Sequence, residues 1–220
     1  VQIRLDLAES YLTGGKPRLA LKELLRLRDA AAGVPRHGFD LGLAYLAVGE
    51  PALAAESLER AVVLDPEYGE AWNNLGRIRE RLGDVEGAGQ AYERALSILT
   101  YKTPEYPAYN LAVLYRQQGR PDQARKYAAI AVDKNWRYAP AYLLLAELAL
   151  ERDDLQGAQT WLEKGTAADM ADLDLLLALG ENLVRMDRLE EARERFSRIV
   201  REHSGSPQAR TAAEYLNILP

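Results

Sequence analysis

Residues 75–95 read LGRIRERLGDVEGAGQAYERA, and the chain repeats this stretch on both sides. LGLAYLAVGEPALAAESLERA (41–61) stands 34 residues earlier, and LAESYLTGGKPRLALKELLRL (7–27) another 34 before that. Further copies start at Leu111, Leu145 and Leu179. Every step is 34 residues except that from Leu75 to Leu111, which is 36. A period of this size marks stacked supersecondary units, each too small to bury its apolar face alone. The spacing predicts units at 1–34, 35–68, 69–102, 105–138, 139–172 and 173–206, each a pair of helices. Residues 207–219 read as one more amphipathic helix, with Ala209, Ala212, Ala213, Leu216 and Leu219 on one side, covering the apolar end of the stack.

Small and large residues recur in register. The first helix of each unit carries Leu7-Ala8, Leu41-Gly42, Leu75-Gly76, Leu111-Ala112, Leu145-Ala146 and Leu179-Gly180. The second carries Ala20, Ala54, Ala88, Ala124, Ala158 and Ala192, followed four residues on by Leu24, Leu58, Tyr92, Ala128, Leu162 and Phe196. Small residues let two helices approach, and large ones fill the space beside them. Between the helices, GKPRLA, GEPALA and GRPDQA place a glycine at the end of the first and Pro17, Pro51 or Pro121 in the first turn of the second. Glycine accepts a left-handed C-cap, and proline at a helix start forfeits no hydrogen bond. Asp84, Asp154 and Asp187 stand near this turn in the other units, where a short carboxylate can cap.

Composition narrows the chemistry. The 28 basic residues are outnumbered by 33 acidic ones, which argues against nucleic-acid binding. There is no cysteine, hence no disulfide framework or thiolate chemistry. No apolar run has the length of a membrane span, and Val1 already lies in a helical pattern rather than in a charged-then-apolar leader. His37 and His203 are the only histidines, lie far apart in sequence, have no metal-ligand spacing, and are expected at the solvated surface. HSGSP (203–207) reads as a helix-ending loop. RLEEARERFSRIVRE (188–202) reads as a charged face laced with ion pairs, not a catalytic pair. No nucleophile elbow, Walker loop or dinucleotide fingerprint is present, so neither an enzyme nor a cofactor is expected. Units one and four are net basic and units two and five net acidic, a pattern that can orient a partner.

The 34-residue unit resembles the tetratricopeptide repeat (TPR), whose pattern is W-x2-L-G-x2-Y…A-x3-F…P. Trp72, Leu75, Gly76, Ala88, Tyr92 and Ala95 fit it in unit three, and Pro66 closes unit two, while Arg4, Gly38 and Ala108 stand where tryptophan is usual. The resemblance covers essentially the whole chain and implies an all-α fold, an αα-superhelix (TPR solenoid). It also implies a concave groove lined by the first helices, at the second, fifth, sixth and ninth positions of each unit. Those positions hold Arg36, Phe39, Asp40 and Leu43, then Glu70, Asn73, Asn74 and Arg77, then Tyr106, Tyr109, Asn110 and Val113. Phe39, Asn73, Asn74, Arg77, Tyr106, Tyr109 and Asn110 are the candidate partner-binding residues. Asparagine amides grip a peptide backbone whatever its side chains, and arginine and aromatics are the usual interface anchors. The carboxylate-clamp subtype is disfavoured, because Leu5 and Glu9 stand where its lysine and asparagine are expected.

The inserted junction, LTYKTPEYPAYNLA (99–112), is similar to a Tyr…Thr-Pro-Glu…Asn-Leu segment of the type IV pilus pilotins, the PilF/PilW-like and Tgl-like TPR lipoproteins. That resemblance implies an outer-membrane lipoprotein facing the periplasm, tethered only through an anchor outside this chain. Such a protein helps the secretin reach the membrane and oligomerise. Its partner is then a secretin subunit or an extended peptide, and neither nucleic acid nor a small-molecule substrate. The competing reading is a cytoplasmic TPR adaptor holding a peptide or partner helix in its groove. Thr103 and Pro104 are expected to be the extra pair, with Pro104 ending a lengthened second helix of unit three and Pro107 in the opening turn of the next. The junction is expected to set Tyr106, Tyr109 and Asn110 beside Asn74.

Overall fold

The computed structural model describes residues 1–219, and among them it contains thirteen α-helices and no strand. In chain order these are α1 (Gln2–Thr13), α2 (Pro17–Arg26), α3 (Pro35–Val48), α4 (Pro51–Leu64), α5 (Gly69–Arg81), α6 (Val85–Ser97) and α7 (Glu105–Gln117). They continue as α8 (Pro121–Lys134), α9 (Ala139–Leu150), α10 (Leu155–Ala168), α11 (Leu173–Arg185), α12 (Leu189–Glu202) and α13 (Pro207–Ile218). The described residues form two compact units, Val1–Leu114 and a second beginning at Tyr115.

Turn chemistry sets the helix boundaries. Pro17, Pro51 and Pro121 each occupy the first position of their helix. The residue at the head of each helix pair's turn is left-handed throughout: Gly15, Gly49, Gly83 and Gly119 have φ from 68° to 89°, and Asp153 and Asp187 have φ of 58°. Aspartate is one of the few L-residues that tolerate this region, which is why it replaces glycine there. Asp84 and Asp154 cap as expected, accepting from the N–H groups of Gly87 at 3.0 Å and Gly157 at 2.8 Å. Asp187 does not cap. It takes the left-handed position itself, and Arg188 stands at the N-cap without a side-chain capping bond.

In the first unit, buried Leu5, Ala8, Ala20, Leu24 and Leu41 form one cluster, and Ala54, Leu58, Ala71, Leu75, Ile78 and Ala91 another. The fixed-offset pairing of small and large residues is literal. A Cβ on Gly76 would lie 2.5 Å from Tyr92 Cε1, and one on Gly180 would lie 2.5 Å from Phe196 Cε1. Tyr92 and Phe196 are fully buried on those flat backbones, each burial contributing about 1.5–3 kcal/mol. In the second unit α13 packs on α12, where Tyr215 stacks on Phe196 at 4.7 Å between ring centres and Ala209 and Ala212 are buried. Ser206 caps this helix by accepting from Ala209 N–H at 3.0 Å, and Arg193 Nη2 donates to Leu219 O at 2.6 Å.

Two further sequence expectations are corrected. His37 is not at the solvated surface. It is 2% exposed, and its Nε2 lies 2.9 Å from Leu24 O. A backbone carbonyl only accepts, so Nε2 carries the proton. Likewise, the second helix of unit three is not lengthened. α6 ends at Ser97, and the residues before α7 form a loop from which Tyr101 turns inward, 8% exposed, to join Ala95, Ile98 and Trp72. Pro104 therefore precedes α7 instead of ending α6, while Pro107 lies in the opening turn of α7 as expected.

Candidate partner-binding site

The candidate residues all lie in the first unit, on α3, α5 and α7. Side chains tie neighbouring first helices together. Arg36 of α3 donates to Asp6 and Glu9 of α1, each at 2.8 Å. Asn110 Nδ2 of α7 donates to Asn73 Oδ1 of α5 at 3.0 Å. This bond brings together two expected residues that are 37 positions apart. It also changes the part Asn73 plays: the residue is 7% exposed, so it supports Asn110 from below rather than facing a ligand.

Asn74 and Arg77 stand on the outer side of α5. Asn74 Nδ2 donates to Glu70 O at 2.8 Å, and Arg77 Nη1 reaches Asn74 Oδ1 at 3.5 Å. The Glu70 bond orients the Asn74 amide, and Arg77 remains exposed. Tyr106 is 44% exposed and Tyr109 half-buried on the next helix. Phe39 is half-buried, packed on the core with its ring 4.9 Å from that of Tyr68. It is thus partly a packing residue as well as a candidate contact. Tyr101 seats the start of α5: a Cβ on Gly69 would lie 2.5 Å from Tyr101 Cγ, so only a glycine admits that ring.

The electrostatics of this face centre on Asp40, which is 4% exposed. Burial raises its pKa to about 6, against the pull of Arg36, with the charges of Glu9 and Asp6 adding to the rise. Arg36 Nε lies 3.5 Å from Asp40 Oδ2, and that oxygen has no hydrogen-bond partner. Burial likewise pushes the Tyr68 phenol upward, helped by the charges of Asp40 and Glu70. The Arg36 cluster has a sequence signal that went unread: acids at positions six and nine of one unit precede arginine at position two of the next. Among the described residues no group of three or more His, Asp or Glu is arranged to hold a metal ion. No described helix is long and apolar enough to cross a membrane.

Helix pairs of this length, a left-handed turn residue in each, and interlocked small and large positions define a protein of the tetratricopeptide repeat family, to which this chain belongs. Tetratricopeptide repeat models match residues 39–107 and 109–172, and a further one matches 149–214. The family is one of protein-interaction scaffolds. The chain is similar to TPR repeat-containing protein PA0015 of Pseudomonas aeruginosa, 37% identical over 82 residues that make up 37% of this chain and 78% of that protein. It is 30% identical to tetratricopeptide repeat protein 8 of Caenorhabditis elegans over 54% of this chain but only 23% of that one. Among solved structures, Pseudomonas aeruginosa PilF superposes with a TM-score of 0.77 at 19% identity, covering 97% of this chain and 96% of PilF. PilW, a widely conserved type IV pilus biogenesis factor, superposes with a TM-score of 0.76 at 20% identity, covering 96% of this chain and 97% of PilW. At such identities these likenesses establish a shared fold.

Proposed function

We propose that this chain is a non-enzymatic, pilotin-like scaffold of type IV pilus biogenesis, which assists a secretin in reaching the outer membrane and assembling there. The observation that carries this reading is end-to-end likeness: PilF and PilW match over at least 96% of both chains, so no repeat is left over on either side. In this reading the first unit holds a partner segment. Asn74 and Asn110 bond its backbone, Arg77 anchors a carbonyl or carboxylate, and Tyr106, Tyr109 and Phe39 cover its apolar side chains. Asn73 positions Asn110 for that task. A periplasmic, outer-membrane-tethered location belongs to the same proposal.

Two measurements test it. Deleting the gene in its host is expected to reduce secretin multimers at the outer membrane, and unchanged multimers overturn the reading. Asn74→Ala combined with Arg77→Ala is expected to weaken secretin capture about tenfold or more, the scale of hot-spot residues. Both side chains lie outside the core, so the melting temperature is expected to move by less than about 2 °C. Full capture by this variant puts the partner elsewhere.

A further inference from the structure

Helix α1 carries a bare stripe whose counterparts elsewhere in the chain are all covered. Ile3, Leu7 and Ser10 lie on one face of this helix at helical spacing. Ile3 is 85% exposed and Leu7 39%, and Ser10 is exposed as well. These are the third, seventh and tenth positions of the 34-residue repeat. In repeats two to six the residues at all three positions are buried. The second helix of the preceding repeat covers them. His37, at the third position, has its Nε2 2.9 Å from Leu24 O of α2. Leu114, at the tenth, faces α6, where a Cβ on Gly89 would lie 3.6 Å from its Cδ2. In the second compact unit, Leu175 at the third position lies over Gly165 of α10, where a Cβ would come within 2.8 Å of Leu175 Cδ2. Asn182, at the tenth, donates to Leu155 O at 3.1 Å and to Gln159 Oε1 at 2.9 Å, both on α10.

The repeat that matches this stripe shows what fits it. Repeats one and six alone set a large aliphatic side chain at the third position against a polar one at the tenth, Ile3 with Ser10 and Leu175 with Asn182. The repeats between them hold His37, Ala71, Pro107 and Ala141 at the third. Helix α10 meets this pattern with glycine against Leu175 and, six positions earlier, a glutamine amide against Asn182. A serine hydroxyl donates and accepts, so it can pair with the same amide. A second copy of the chain has no such helix free. Its second helices already lie under α3, α5, α9, α11 and α13, and α6 lies under α7. A lipid surface would strip the hydration of Asp6, which stands exposed beside the stripe. In the fold shared with PilF and PilW, which match over at least 96% of their own chains, no helix pair is left over to stand in front of α1. The geometry points to the outer stripe of α1 as a docking site for an amphipathic helix of a partner protein. That helix lies antiparallel to α1, where a preceding repeat's second helix would stand. It sets a small residue against Ile3 and, six positions earlier, a side-chain amide against Ser10.

The stripe does not include Asn74 or Arg77, so its test does not read secretin capture. The probe is a blocked peptide with the sequence of α10, LQGAQTWLEKGTAA (155–168). So short a helix is marginal in water. A hydrocarbon staple therefore joins the positions of Gln156 and Thr160, which are exposed in the chain. In an NMR titration of the full chain the peptide is expected to shift the Ile3 and Leu7 methyls. The same peptide with Gly165→Leu is expected to bind at least fivefold more weakly. Ile3→Asp in the protein is expected to abolish the shifts and, since Ile3 is exposed, to leave the melting temperature unchanged. Absent shifts, or shifts centred on Asn74 and Arg77, overturn the site. Equal binding of the Gly165→Leu peptide overturns the small-residue fit. Sedimentation that shows a dimer of the wild type, lost in Ile3→Asp, overturns the partner helix in favour of a second copy. In the product of the complete gene, an Ile3→Cys thiol that resists maleimide overturns it in favour of a segment of the same polypeptide.

Discussion

Gly76 and Gly89 both lie inside helices, yet a methyl group has opposite consequences at the two. At Gly76 it meets the buried Tyr92 ring at 2.5 Å, while at Gly89 it finds only Leu114 Cδ2 at 3.6 Å, an ordinary contact. Gly76→Ala is expected to destabilise by about 1–3 kcal/mol through overpacking, despite the better helix former. Gly89→Ala is expected to stabilise by about 0.5–1 kcal/mol. Urea unfolding of the two variants checks both signs. Asp40 supplies a pH-dependent case. A carboxyl whose folded pKa is raised to about 6 holds its proton more tightly in the native state. Its contribution to stability is therefore fully present below the ordinary aspartate value and is lost as pH rises through about 6. The shift corresponds to about 2–3 kcal/mol. Stability measured from pH 4 to 7 is expected to fall by that much more in the wild type than in Asp40→Asn. At this scale the interlocked positions were legible, because small and large residues alternate at a fixed offset. The burial of His37 was not, because its partner carbonyl belongs to the preceding helix and leaves no mark beside the histidine.

Among the elements, the six turns solve one backbone problem with two residue types. Asp187 sits at φ 58° without capping, so Asp187→Gly is expected to stabilise by about 0.5–1 kcal/mol by relieving the left-handed penalty. Asp154 caps Gly157 from an ordinary conformation, and Asp154→Ala is expected to cost about 1 kcal/mol. Thermal melts of the pair distinguish the two roles. Sequence placed the turns correctly but could not tell a capping aspartate from a left-handed one, since both precede a helix by one or two residues. It also misread the inserted junction. Pro104 in the sequence suggests the end of a longer helix, whereas α6 keeps the length of its neighbours and the loop after it carries Tyr101 back into the core. An aromatic in a loop reads the same in sequence whether it turns in or out.

For the whole molecule, the period of 34 residues sufficed to specify an all-α repeat fold, because every unit states the same helix lengths and turn. The candidate site was only half legible. Its residue types could be read from positions that the family resemblance marks, but the Asn73–Asn110 bond and the burial of Asn73 depend on how successive units stack. The same nearest-neighbour logic gives a prediction for the end of the second unit. Ending the chain before Pro207 uncovers the ring of Phe196 that Tyr215 now covers, together with the core contacts of Ala209 and Ala212. Losing a terminal cap of this kind is expected to lower the melting temperature and to promote self-association, checked by calorimetry and light scattering.

Gly69 and Tyr101 carry an evolutionary consequence. The ring of Tyr101 lies where any side chain at position 69 would begin, so neither residue is free to vary by itself. Lineages of this protein that keep the inward-turned aromatic must keep the glycine, and a lineage that acquires even alanine at 69 must first shrink or redirect residue 101. The two positions are expected to change as a pair, leaving a correlated signature across descendants that neither position would show alone.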